Sequence, residues 1–134
     1  MDTDKQKFLD RDALNALSGS VIGAVYEVAN GLGAGFLEKV YERALMREFA
    51  LRGIRAVEQV PFSVSYKGQR VGDYFVDLLV EDALIVELKC VESLGREHMA
   101  QCLNYLRVSG FELCLLVNFQ RARVEIRRVV LGEQ

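Results

Sequence analysis

Two short stretches constrain this chain more than anything else in it: ALIVELKC at Ala83–Cys90 and FELCLLVN at Phe111–Asn118. Each has the length of a strand and is almost wholly apolar. So few polar positions suit a strand covered on both faces, which requires a sheet lying between layers of helix. The rest of the chain can supply those layers. It has 134 residues, 51% of them apolar and 27% charged, enough to fill one globular domain with a hydrophobic core. No linker, repeat or low-complexity stretch divides it. A single domain over 1–134 is expected, with residues 1–10 flexible.

Helical spacing comes first. Leu14, Leu17, Val21, Ile22, Val25, Val28 and Ala29 form one apolar stripe over residues 11–30, which Asp10 or Asp12 can cap. Asn30-Gly31-Leu32-Gly33-Ala34-Gly35 stops that helix and turns the chain. A second helix is expected from Phe36 to Leu51, closed by Gly53. The period then changes. Strands are expected at Val57–Tyr66, Val71–Val80 and Ala83–Cys90, joined by turns at Lys67-Gly68 and Glu81-Asp82. A helix over 94–109 and strands at Phe111–Asn118 and Ala122–Val130 complete an α/β chain in the order α-α-β-β-β-α-β-β.

Several classes are excluded. No apolar run approaches the roughly 18–20 residues of a membrane span, and the first dozen residues are polar, so a cytoplasmic protein away from membranes is expected. Three cysteines without a C-x-x-C argue against a disulfide framework or a zinc ribbon, and one histidine against a His-rich metal site. A net charge of −2 argues against a protein that coats nucleic acid non-specifically. A local basic patch remains open. Arg121, Arg123, Arg127 and Arg128 cluster near the end of the chain, where they could contact phosphates or simply solvate an edge strand.

The informative residues are charges inside core strands. Asp77 interrupts YFVDLLV, and Glu87 and Lys89 interrupt LIVELK. Strand side chains alternate, so Glu87 and Lys89 point the same way, about 7 Å apart. Asp77, on the hairpin partner, can reach the same spot if the register allows. Buried charge costs several kcal/mol unless paired or metal-bound. Two carboxylates around a hard cation with a lysine beside them would meet that requirement, as in Mg²⁺-assisted phosphodiester hydrolysis. Lys89 would then orient or help deprotonate the attacking water, or stabilise the charged phosphorus centre. A structural ion pair at a strand end is the alternative.

The chain resembles the GxxExxY family of the PD-(D/E)xK nuclease superfamily over roughly residues 15–130. Gly35-Phe36-Leu37-Glu38-Lys39-Val40-Tyr41 carries the first motif, and Asp77 with Glu87-Leu88-Lys89 the superfamily signature, Val76 standing where the signature has proline. His98, Gln101, Tyr105 and Leu106, then Leu115–Phe119, follow in family-like order. The resemblance implies a restriction-endonuclease-like core, a central mixed sheet flanked by helices. It implies a Mg²⁺ (or Mn²⁺) site of Asp77, Glu87 and the Leu88 main-chain carbonyl, with Glu38 as an additional acid. Lys89 would be the catalytic lysine, with Gln101 and Tyr105 facing the site. Gly35 and Tyr41 read as structural residues, and His98 as a surface or capping histidine.

Two functions from different classes follow. The first is a metal-dependent nuclease acting on DNA, with Asp77, Glu87, Glu38, Lys89, Gln101 and Tyr105 as its machinery. The second is a catalytically silent interaction or nucleic-acid-binding module on the same fold. A hydrolase of small phosphoesters is a third. With no second domain legible for reading sequence, a nuclease of this kind is expected to dimerise, to recognise DNA structure, or to work beside a partner protein.

Overall fold

The computed structural model describes residues 9–120 and 123–132. Of the segment expected to be flexible, residues 1–8 lie outside the described residues. Leu9 packs against the core, and Asp10 caps the first helix by accepting from the Ala13 amide at 2.8 Å. Helix α1 spans Arg11–Leu32 and α2 spans Glu38–Leu51. Strands β1 (Ala56–Tyr66), β2 (Gln69–Val80) and β3 (Leu84–Lys89) follow, then α3 (Arg96–Ser109), β4 (Leu113–Asn118) and β5 (Glu125–Val130). The order is the one expected, and the fold is α/β.

The boundaries differ where glycine and tertiary contacts compete with periodicity. Helix α1 runs past Asn30 to Leu32 and ends at Gly33, whose φ of 76° breaks the helix. Helix α2 starts at Glu38 instead of Phe36, because Gly35 takes φ 110° and Leu37 stays extended. The start of the last expected strand, at Ala122, lies outside the described residues.

The five strands form one sheet in sequence order, β3–β4 parallel and the other pairs antiparallel. Helices α1 and α2 cover one face. Val21, Val25, Tyr41, Leu45 and Phe49 pack there on Val80, Leu84, Val86, Leu88, Leu115 and Val117. Helix α3 covers the other, setting Cys102, Tyr105 and Leu106 on Val76, Ile85, Cys114 and Leu116. This is why β3 and β4 are apolar on both faces. Each such buried aliphatic side chain contributes about 1.5–3 kcal/mol. The even residues of β3 thus face α1 and α2, and the odd ones, Ile85, Glu87 and Lys89, face α3.

Strands β1 and β2 are 11 and 12 residues long, against six in each of the others, so their hairpin extends beyond the sheet. Val60, Phe62 and Tyr74 anchor one side of it to the α3 layer. The other side is open, with Phe75 53% exposed beside its strand partner Pro61.

One irregularity shapes this hairpin. Ala56 packs toward α1 and α2, whereas Val60, four residues on, packs toward α3. In β2, Val76 packs toward α3 and Leu78 toward α1 and α2. Residues an even number apart share a face in a regular strand. Both strands therefore rotate together at Gln59 and Asp77, which lie between the paired positions Glu58↔Leu78 and Val60↔Val76. Gln59 makes the turn possible with φ 53°, in the left-handed region.

Candidate active site

The site is built where β2 and β3 part. Their ladder runs from Val80↔Leu84 to Leu78↔Val86, one step short of Asp77 and Glu87. Past that point side chains replace backbone pairing. The Asp77 amide donates to Glu87 Oε1 at 2.9 Å, and the Leu88 amide donates to Asp77 Oδ2 at 2.8 Å. The two carboxylates thus face each other across the parted strands. A strand residue presents its N–H and C=O to the same neighbour. The Leu88 carbonyl therefore faces the same gap.

Glu87 is 4% exposed. Burial, then the nearby Asp77 carboxylate, push its pKa up to about 8, although the Asp77 amide, Lys89 and Tyr105 favour the charged form. Without a cation this carboxyl is mostly protonated at neutral pH. Tyr105 of α3 stands beside Glu87, and its own pKa is raised by burial and by that carboxylate. Its ring meets Tyr74 edge-on at 5.2 Å.

Lys89, on the same face of β3 as Glu87, donates from Nζ to Gln101 Oε1 of α3 at 3.2 Å. The end of β3 is held firmly. Phe119 N donates to the Lys89 carbonyl at 3.0 Å. The fully buried Asn118 side chain accepts from Val91 N at 3.0 Å and donates to Val91 O at 2.8 Å.

Glu38, at the start of α2, accepts from the Cys90 amide at 3.1 Å, one residue beyond Lys89. It does not join Asp77 and Glu87 in one cluster: among the described residues, no three His, Cys, Asp or Glu side chains gather to hold a metal. The structure therefore brings Asp77, Glu87, Lys89, Gln101 and Tyr105 into one constellation and sets Glu38 at its margin. The donor set at the gap is two carboxylates and a main-chain carbonyl. Such all-oxygen donors fit a hard divalent cation, which would also relieve the cost of ionising Glu87.

The glycine-rich motif fastens the loop before α2. Tyr41 is fully buried, stacked on Phe119 at 4.3 Å. Its hydroxyl donates to Gly33 O at 2.6 Å and accepts from Phe36 N at 3.2 Å. His98 caps α3, its Nδ1 accepting from Gly95 N at 2.9 Å. The C-terminal arginines are engaged in part. Arg127 pairs with Glu125 at 3.1 Å, and Arg128 ties β5 to α1 through Ser18 and Asn15. Arg121 lies outside the described residues.

Gln59, which touches Asp77, and Glu42 behind it carry no motif in the sequence. Gln59 donates to Asp77 Oδ1 at 3.3 Å and to Glu42 Oε1 at 3.1 Å. Glu42 is 3% exposed, and its pKa is raised by burial and by Glu58. The only sequence signal was the spacing of Glu42, four residues after Glu38 on one helix face.

Comparison with known proteins agrees with the architecture. Residues 15–129 match the PD-(D/E)XK nuclease superfamily. No curated protein matches. Among solved structures, the crystal structure of SSO0001 aligns with a TM-score of 0.57 and 16% identity, covering 72% of this chain and 50% of that one. The chain spans about half the length of that structure, and at this identity the likeness concerns fold alone. Among the described residues, no helix is long and apolar enough to cross a membrane.

Proposed function

This chain belongs to the PD-(D/E)XK nuclease superfamily, and from that premise we propose that it is a Mg²⁺- or Mn²⁺-dependent nuclease acting on DNA. The observation that carries this reading is the pair of facing carboxylates at the end of the β2–β3 ladder, with Lys89 beside them. Within the superfamily we assign the chain to the GxxExxY group, because Gly35, Glu38 and Tyr41 act jointly to dock the loop before α2 against the end of β3.

Asp77, Glu87 and the Leu88 carbonyl would hold the metal, while Glu38 anchors the start of α2 to the Cys90 amide. The metal supplies Lewis-acid activation of water and of the phosphate. The chain's own residues do the remaining work. Lys89, steadied by Gln101, positions the attacking water and stabilises negative charge developing on the phosphate oxygens. Tyr105, packed beside Glu87, helps orient its carboxyl. Phe75, exposed two residues before Asp77, offers a ring on which an unpaired base can stack.

The test is cleavage of supercoiled and of linear single-stranded DNA with Mg²⁺ or Mn²⁺, comparing wild type with identically purified Lys89→Ala and Asp77→Asn. Wild-type cleavage should fall by about 10²-fold or more in both variants. Equal cleavage by all three would be contamination and would refute the assignment. An inactive wild type that also binds no Mn²⁺ would leave the fold as a non-catalytic module.

A further inference from the structure

We propose that Gln59 and Glu42 are positioning residues that hold the Asp77 carboxylate in its metal-binding orientation. This rests on the reading of Asp77 as a metal ligand. The Asp77 carboxylate is held on both oxygens. Leu88 N binds Oδ2 at 2.8 Å, and Gln59 Nε2 approaches Oδ1 at 3.3 Å. The same amide nitrogen lies 3.1 and 3.4 Å from the two oxygens of Glu42. A primary amide has two N–H donors, one for each carboxylate. Glu42 is fixed in turn by Lys39 Nζ at 3.0 Å. A connected path, Lys39 to Glu42 to Gln59 to Asp77, thus ties α2 through β1 to the reactive end of β2.

Two features set this path apart from ordinary surface bonding. Gln59 occupies φ 53°, where a non-glycine residue is strained and glycine is not. A glycine would make the same rotation of the strand more easily, so backbone geometry does not explain a glutamine here. Its amide does. Glu42, for its part, is a nearly inaccessible carboxylate, an arrangement that costs several kcal/mol unless its bonds are made. Both features meet at the Gln59 amide, which reaches Asp77 Oδ1 at 3.3 Å. Groups that orient a ligand from behind commonly alter metal affinity or activity by 10–100-fold when removed.

The experiment uses Gln59→Gly, which deletes the amide while suiting the backbone, and Glu42→Gln, which keeps size and an acceptor oxygen. The first readout is the amide resonance of Leu88 in metal-free protein, since that N–H reports directly on Asp77. The second is Mn²⁺ affinity by titration calorimetry, and the third is kcat and KM for DNA nicking. Gln59→Gly should still fold, the relieved backbone at φ 53° offsetting part of the bond lost to Glu42, and should move the Leu88 resonance. It should weaken Mn²⁺ binding about 10-fold and lower kcat with KM for DNA unchanged. Glu42→Gln should show the same changes in smaller measure. An unmoved Leu88 resonance with unchanged Mn²⁺ affinity overturns the proposal, as does a stability change alone. A wild type that neither binds Mn²⁺ nor cleaves DNA refutes the nuclease reading instead, and the Leu88 resonance then decides by itself whether Gln59 holds Asp77.

Discussion

Replacing Glu87 by glutamine should change how stability depends on pH. Glu87 has its pKa raised from 4.5 to about 8 in the folded chain by burial and by Asp77. The folded state therefore holds a proton on Glu87 that the unfolded state releases. Stability from this group is fully present below pH 4.5 and is lost as pH rises through about 8. That interval corresponds to about 5 kcal/mol at most, falling by up to about 1.4 kcal/mol per pH unit. This is a large part of the 5–15 kcal/mol typical of a folded domain. Urea unfolding in EDTA at pH 5 to 9 measures it. Wild type should lose several kcal/mol across the range relative to Glu87→Gln, which cannot ionise. Added Mg²⁺ should restore the wild type above pH 7 and leave the variant unchanged. Parallel pH profiles for the two proteins in EDTA would refute the reasoning, because burial would then exact no ionisation cost at Glu87.

Three further outcomes concern the metal site, the Tyr41 anchor and the exposed Phe75 ring. Mg²⁺ binding to wild type should tighten about tenfold per pH unit up to about pH 8, where Glu87 ionises, and then level off; calorimetry in buffers of different ionisation enthalpy would detect the released proton. Tyr41→Phe keeps the stack on Phe119 but strips the partners from Gly33 O and Phe36 N, so urea unfolding should show a loss of about 1–3 kcal/mol, and limited proteolysis a faster cut near Gly33–Leu37. Phe75→Ala should leave stability within about 0.5 kcal/mol, the ring being exposed; by fluorescence anisotropy it should weaken single-stranded oligonucleotide binding by about 1–3 kcal/mol, whereas an unchanged affinity would remove the stacking role.

Much of the fold was legible because burial on two faces leaves an unambiguous pattern. Apart from Glu87 and Asn118, the buried positions of ALIVELKC and FELCLLVN are apolar on both faces, and both became inner strands. The helix stripes held for the same reason. The boundaries moved where one residue's conformation outweighed periodicity, as when Gly35 and the Tyr41 hydroxyl delayed α2 to Glu38. At the site, Glu87 and Lys89 were visible as charges two apart in a buried strand, and they do share a face. Gln59 and Glu42 were not visible. Nothing in VEQVPF marks a left-handed residue, and a glutamate on an amphipathic helix looks like any solvated one.

By itself, the sequence determined the element order, the apolar layers and the presence of charge in strands that should carry none. Those are consequences of local periodicity and of composition within ten or so neighbouring residues. Only the tertiary structure decided that β2 and β3 stop pairing one step before Asp77 and Glu87. The reason is a rotation shared by two strands at Gln59 and Asp77, with α3 holding one side of the hairpin and nothing among the described residues covering Phe75 on the other. That parting turns two charged residues in a sheet into facing carboxylates, and it depends on contacts between residues far apart in the chain.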